Sequence, residues 1–286
     1  MLGDKPVLGA ATASREAALI SRERILEASQ CEDEAQVYDL SLHNQKLRSM
    51  LGLSRCVKLR ILDLSFNGIS AIEGLDALGD LRELRLYANN ITHVSGLEGT
   101  FKLQTLLLHD NRLGPSCAVG AGLARLAQLA TLRVDSNPRL GAAGLLQLRL
   151  MELPALTELN ASGLQLDSAD ALKGAARLTI VELEHNALRS LGALAQLTTL
   201  QELHLGYNKL HGGALAGLKR LSALTLLRLD GNEIESLEAL PPLPALTELH
   251  LAANRLTELP PLTFVRAGPP SPQGGRAGRG AGARGG

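Results

Sequence analysis

One pattern constrains this chain more than any other. The motif L-x-x-L-x-L-x-x-N-x-L recurs ten times within 286 residues. Copies begin at Val37, Leu59, Leu81, Leu103, Leu129, Leu156, Leu178, Leu200, Leu224 and Leu246. The steps between them are 22, 22, 22, 26, 27, 22, 22, 24 and 22 residues. The asparagine position holds Asn67, Asn89, Asn111, Asn137, Asn186, Asn208, Asn232 and Asn254, and departs to Gln45 and Leu164. A fixed period of this length means a stacked array in which no single unit can bury its own apolar face. In x-L-x-L-x the leucines alternate with other residues, the period-2 signature of a strand with one buried side. Such strands, repeated in one direction, must pair in parallel. The asparagine falls where the chain leaves the strand, and its amide suits the backbone groups a turn leaves unpaired. Leu164 cannot do this, so a local break in the asparagine ladder is expected in the sixth copy.

The repeated L-x-x-L-x-L-x-x-N-x-L, clearest at Leu81–Ile91 and Leu103–Leu113, resembles the leucine-rich repeat family over about residues 37–262. The resemblance implies an α/β-class solenoid, a horseshoe with a parallel concave sheet. Steps of 22 residues leave room on the convex side only for 3₁₀ or extended segments; steps of 26 and 27 allow a true helix. Gly141–Pro154 places Leu145, Leu148 and Met151 on one helical face, and Pro154 ends it. Residues 114–165 are therefore read as the irregular middle of the array.

Composition agrees. The chain is 45% hydrophobic but only 2% aromatic, so leucine fills a regular core. That hydrophobic content excludes wholesale disorder. Lys+Arg and Asp+Glu are 29 each, and a neutral chain is poorly suited to nucleic acid or a membrane surface. No apolar run approaches the roughly 18 residues of a membrane span. The opening MLGDKPVLGAATAS lacks the pattern of a secretory leader. Cys31, Cys56 and Cys117 form neither a disulfide framework nor a metal cluster and read as small buried hydrophobes. The expected setting is intracellular and cytoplasmic, and the family resemblance adds cilium or nucleus as further compartments.

Four segments follow. Residues 1–11 are expected to be disordered. Residues 12–36 carry Leu19, Ile20, Ile25 and Leu26 among charges and are expected to form a helical cap on the first repeat. Residues 37–265 are the repeat domain. Residues 266–286, rich in Gly, Arg and Pro, read as a disordered tail. No closing helix and strand is legible after Leu262.

The polar positions flanking the strand leucines are expected on the concave face, the usual partner site of this architecture. Counted from each repeat start, these are offsets 2, 4, 6 and 7. Three of the six aromatics fall there (Phe66, Tyr87, Tyr207), as do five of the seven histidines (His43, His109, His185, His204, His250). The core needs no aromatic at these places, and exposed aromatics mark binding hot spots. The expected partner-binding residues are His43, Phe66, Tyr87, His109, Asp110, Asp135, Glu182, Glu184, His185, Tyr207, Arg228 and Asp230. The alternative is a face that is polar merely because it is wet.

Catalysis finds little support. His109 beside Asp110, and Glu184 beside His185, are neighbours whose side chains should diverge, and no nucleophile joins them. No catalytic residue, metal ligand, cofactor or small-molecule substrate is assigned. The glycines of the tail follow no strand, so they are not a phosphate loop. The stretch Leu59–Leu75, L-x-x-L-x-L-S-x-N-x-I-x-x-I-E-G-L, is similar to the intracellular protein phosphatase 1 regulatory-subunit type. That resemblance implies a non-enzymatic scaffold binding a phosphatase catalytic subunit through acidic and aromatic concave residues. The same repeat type occurs in ciliary proteins, implying axonemal partners, and in a spliceosomal ribonucleoprotein subunit.

Overall fold

The computed structural model describes residues 19–118 and 123–258. Ten strands of three residues form one parallel sheet in strict chain order. They are β1 (Asp39–Ser41), β2 (Ile61–Asp63), β3 (Glu83–Arg85), β4 (Thr105–Leu107), β5 (Thr131–Arg133), β6 (Glu158–Asn160), β7 (Ile180–Glu182), β8 (Glu202–His204), β9 (Leu226–Arg228) and β10 (Glu248–His250). The register aligns each repeat's central strand residue with the next, as in Leu62↔Leu84↔Leu106. Those side chains are fully buried, together with the second leucine of each motif, Leu64, Leu86 and Leu108. Each such side chain contributes about 1.5–3 kcal/mol relative to exposure. The chain is thus a leucine-rich repeat solenoid.

The asparagines tie the repeats together. Asn89 Nδ2 donates to Leu64 O of the preceding repeat at 2.9 Å and to Leu86 O of its own at 3.0 Å. Its Oδ1 accepts Ile69 N–H, again from the preceding repeat, at 3.0 Å. Asn111, Asn208 and Asn232 repeat the pattern. The two departures are patched from the next repeat. Asn67 Oδ1 accepts both Gln45 N–H and Leu47 N–H, and Asn186 Oδ1 accepts both Leu164 N–H and Leu166 N–H. Behind Leu164, the preceding repeat turns into a helix instead of an extended segment, and Leu140 N–H takes part in that turn. It donates to Asn137 O at 2.9 Å, at the entry to that helix. The break expected at Leu164 is present and is confined to this turn.

On the convex side, repeats with 22- and 24-residue steps carry 3₁₀ segments at Asp170–Leu172, Gly192–Gln196 and Gly212–Leu218. The 27-residue repeat holds the helix α2 (Gly141–Gln147). Leu145 and Leu148 are buried, as the helical spacing predicts. Met151 is not: it is 66% exposed. Arg149 adopts φ 52° and ends the helical path before Met151 can join that face, so the helix is shorter than the sequence pattern implied. Residues 119–122 of the 26-residue repeat lie outside the described residues.

At the start, α1 (Arg22–Ser29) packs against β1. Ser21 caps it by accepting Arg24 N–H, and Gln30 at φ 55° ends it. Ile20 and Ile25 are buried, whereas Leu19 is exposed. The helix is therefore shorter than the 12–36 span expected; residues 12–18 are not described. The lead-in is clamped by Ile20 N–H donating to Leu51 O at 2.8 Å. Gly52 makes that approach possible. Its φ is +113°, and a Cβ there would lie 2.3 Å from Ile20 O. At the other end Leu249, Leu251 and Leu256 are only partly buried, although Leu227, Leu229 and Ile234 one repeat earlier are fully buried. The segments 1–11 and 266–286 lie outside the described residues. Cys56 and Cys117 are fully buried, and burial pushes both thiols up to about 11, away from reactivity.

Leu84→Ala should destabilise the fold by about 2–5 kcal/mol through its cavity. Asn89→Ala should cost about 1–3 kcal/mol for each buried donor or acceptor it leaves unpaired. Urea denaturation measures both. A wild-type midpoint for Asn89→Ala would remove the asparagine ladder from the account.

Candidate protein-docking face

Only offsets 2 and 4 of the predicted inner face lie on strands. Offsets 6 and 7 fall past the strand ends, and offset 7 is not extended at all. In all ten repeats it is left-handed, with φ between 53° and 67°: Asn44, Phe66, Ala88, Asp110, Ser136, Gly163, His185, Tyr207, Gly231 and Ala253. The reading of this position as a strand residue is corrected accordingly. Backbone bonding holds the turn. Phe66 N–H donates to Tyr87 O at 3.1 Å, and Tyr207 N–H to Asp230 O at 2.7 Å, each one repeat ahead. A left-handed residue with a Cβ costs roughly 1–2 kcal/mol. Glycine, Asn and Asp tolerate it best. Gly163, Gly231, Asn44 and Asp110 in one column were the sequence signal for this turn.

The turn presents its side chains to solvent. Phe66 is 51% exposed and Tyr207 is 55% exposed. Rings gather across repeats in two groups. In the first, His43 lies 5.0 Å from Phe66, Phe66 meets Tyr87 edge-on at 5.5 Å, and Tyr87 stacks on His109 at 4.4 Å. In the second, His185 stacks on Tyr207 at 4.5 Å, with 4° between the rings. The far side of Tyr207 lies over Gly231, where a Cβ would come within 2.6 Å of the ring. Such pairs contribute about 0.5–1.5 kcal/mol beyond area burial. Of the twelve predicted residues, six therefore sit in ring clusters.

Asp110, Asp135, Glu182, Glu184, Arg228 and Asp230 supply polar ground around and between them. Arg133 holds Asp135 through two hydrogen bonds of 3.0 and 3.1 Å. Asn160 donates to Glu182 at 2.8 Å. Glu184 approaches His204 at 4.0 Å, and Asp230 accepts Ala252 N–H at 2.9 Å. Arg228 Nε is buried without a partner. A shallow depression of about 210 Å³ lies here, lined by Arg133, Glu158, Asn160, Glu182, Glu202 and His204 among others.

Sequence reasoning left out a network under the first ring group. Asp63, 8% exposed, accepts the Ser65 hydroxyl at 2.5 Å and faces Arg85 at 3.5 Å. Arg85 also meets Glu83 at 2.6 Å. His43 Nδ1 lies 2.8 Å from Ser65 Oγ. Because that hydroxyl donates to Asp63, the network assigns the donating proton of the second bond to His43 Nδ1. A nucleophile relay would need the imidazole between hydroxyl and carboxylate. Here the hydroxyl is in the middle and fully buried, so this is a positioning network. The neighbouring pairs diverge as well, since His185 stacks on Tyr207 while Glu184 turns to His204.

The face is acidic although the chain is neutral. Offsets 2, 4, 6 and 7 carry eleven carboxylates against three arginines and no lysine, a net of −8 with histidines neutral. Two of those arginines, Arg85 and Arg133, are already neutralised by the carboxylates named above. His109 is held below its ordinary value of 6.5, chiefly by burial, against the opposing pull of Asp135. Among the described residues no three His, Cys, Asp or Glu side chains come together as metal ligands. No described helix is long and apolar enough to cross a membrane.

Sequence comparison with models of known families finds no match, and comparison with curated proteins finds none. Solved structures do match. An internalin (inlF) of Listeria monocytogenes superposes with a TM-score of 0.56 at 20% identity, covering 84% of this chain and 72% of its own. Internalin C2 of the same organism gives 0.50 at 24% identity, covering 84% and 85%. A leucine-rich repeat protein of Leptospira interrogans gives 0.69 at 27% identity, covering 82% of this chain and 59% of its own. These likenesses place the chain among leucine-rich repeat solenoids. As 458 solved chains match, the fold by itself selects no function.

Tyr87→Ala and Tyr207→Ala should each cost about 0.5–1.5 kcal/mol of stability, the value of a lost aromatic pair and well short of Leu84→Ala. Urea melts showing core-sized losses would overturn the assignment of both rings to the surface. The His109 ring should titrate below 6.5 by NMR. The folded state then binds fewer protons than the unfolded one between the folded value and 6.5. That stability is fully present above 6.5, falls as pH drops below it, and is lost once pH passes the folded value. His109→Gln should flatten this dependence.

Proposed function

We propose that the chain is a non-enzymatic scaffold that docks a protein partner on the inner face of the solenoid. One observation carries this reading. In a chain with six aromatics, rings are placed in the left-handed turn column and beside it, where the core does not use them. Half-exposed rings on a face of net −8 fit a partner with a basic, apolar-studded surface.

More finely, we propose an intracellular, cytoplasmic regulator of protein phosphatase 1 whose partner is a phosphatase catalytic subunit. The Leu59–Leu75 motif and the acidic-aromatic character of the inner face support it. The alternative reading, a ciliary structural or assembly protein with axonemal partners, rests on the same repeat type. The third, a nuclear ribonucleoprotein subunit, is weakened by the acidic inner face, which repels phosphate.

A native pull-down of the full-length protein beside a Phe66/Tyr87/Tyr207 triple-alanine variant, read by mass spectrometry, tests the scaffold reading. Each anchor is expected to contribute about 1–3 kcal/mol of binding, so the variant should lose its principal partner. The identity of that partner separates phosphatase, axoneme and spliceosome. If the variant keeps the same partners, the inner face is not the docking site.

A further inference from the structure

A second surface lies on the flank of the solenoid, at the N-terminal ends of β1 to β4. The residue preceding each strand forms a row: Tyr38, Arg60, Arg82 and Gln104. Arg60 N–H donates to Tyr38 O, Arg82 N–H to Arg60 O and Gln104 N–H to Arg82 O, each at 2.8 Å. The side chains therefore stand one repeat apart, about 4.8 Å. Beside this row lie Lys58, Asp80 and Lys102, with Val57, Gly79 and Phe101 next to them.

Three features set this flank apart. It is apolar and exposed at once: Tyr38 and Val57 are each 46% exposed and Phe101 is 54% exposed. Its cations are organised. The Arg60 guanidinium lies 5.2 Å and Lys58 Nζ 5.9 Å from the Tyr38 ring, and Lys102 Nζ lies 5.9 Å from the Phe101 ring. Four cations face one carboxylate, Asp80, which Lys102 already neutralises at 2.5 Å. Finally, none of the four fills the core, although Lys58 donates to Gln36 of the preceding repeat at 2.8 Å. Further along the same row the chain places Thr157, Thr179 and Thr225 instead. Their hydroxyls donate to backbone carbonyls of the neighbouring repeat, leaving that stretch self-satisfied.

We propose that this flank is a docking surface separate from the inner face, and that it takes an acidic segment of a partner protein. Carboxylates of the segment would pair with Arg60, Arg82 and Lys58. The Phe101 ring lies over Gly79, where a Cβ would come within 3.2 Å of it, and an apolar side chain of the segment would pack against the outer side of that ring and against Val57. Charge complementarity selects the partner's sign, and the inner face at net −8 repels such a segment toward the flank. Charge count favours a peptide over nucleic acid. Nucleic-acid affinity grows with the number of phosphates neutralised, and a short row of four cations on a chain of zero net charge suits a short acidic peptide better than a polyphosphate backbone.

The test is fluorescence anisotropy with full-length protein and a labelled peptide of alternating Asp and Glu carrying two leucines. Wild type should bind it, more weakly as salt rises. Arg60→Glu/Arg82→Glu should weaken binding about 30-fold through like-charge juxtaposition, and the neutral Arg60→Gln/Arg82→Gln should lose less. Circular dichroism melts of both variants should match wild type, since the substituted side chains are exposed. The Phe66/Tyr87/Tyr207 triple-alanine variant should bind the peptide as wild type does, whatever becomes of the inner-face reading. Equal binding by wild type and both arginine variants would overturn the proposal, as would loss confined to the triple-alanine variant. Tighter binding of oligouridylate than of the peptide would reassign the surface to nucleic acid. A concentration-dependent oligomer in sedimentation velocity, lost in the charge-reversed variant, would reassign it to a second copy of this chain.

Discussion

The interaction on which the molecule depends is the hydrogen bonding of the turn asparagine that eight of its ten repeats carry. Strands of three residues are too short to hold a parallel sheet by their own ladder, and the chain must leave each strand at once. Asn89, Asn111, Asn208 and their equivalents satisfy carbonyls of two consecutive repeats and accept an amide of the earlier one. Each therefore closes a turn and fixes the spacing to its neighbour. The leucines supply the driving force, but burial is non-directional. The amide geometry sets the register in which those leucines can stack. Leu164 shows how local the requirement is, because Asn186 serves two amides there and the strand order does not change.

The same turn makes the candidate surface. The residue before the asparagine position is left-handed in every repeat, including the two that carry Gln45 and Leu164 in place of the asparagine. A side chain there cannot return to the core, so whatever occupies the column is offered to solvent. Serine, alanine and glycine show that the fold asks nothing of the side chain. Phe66, His185 and Tyr207 carry both the left-handed cost and the cost of exposed apolar area, and neither is repaid by packing in the core. Gly231 extends the point, since its missing Cβ lets the Tyr207 ring lie flat beside His185.

Repeat number, strand direction, core leucines and the weak point at Leu164 were legible in the sequence, because a period of about 22 residues leaves one way to stack. The helix at Gly141 was legible in position but not in length. Apolar spacing continues to Met151, whereas the backbone turns at Arg149, and spacing does not encode φ. The columns of the inner face were legible by counting, yet their conformation was not, since an alternating pattern reads the same through a strand and past its end. The Asp63–Ser65–His43 and Asp63–Arg85 contacts were hidden for another reason. His43–Ser65 and Asp63–Arg85 join side chains of neighbouring repeats, and only the register says which rotamers meet.

The acidic lean of the inner face was legible by counting its columns, whereas the basic flank was hidden by a chain total of zero. The inner face gathers eleven carboxylates, and the flank over the first four repeats gathers Lys58, Arg60, Arg82 and Lys102. Separation of this kind is not produced by folding, which needs only the leucines and asparagines. Fields of opposite sign on two faces of one rigid solenoid act at about the Debye length, roughly 8 Å at physiological salt, before any contact forms. A basic surface is drawn to one face and an acidic segment to the other. The solenoid can thus orient two segments of unlike charge at a fixed separation, and the repeat array supplies the rigidity that keeps that separation constant.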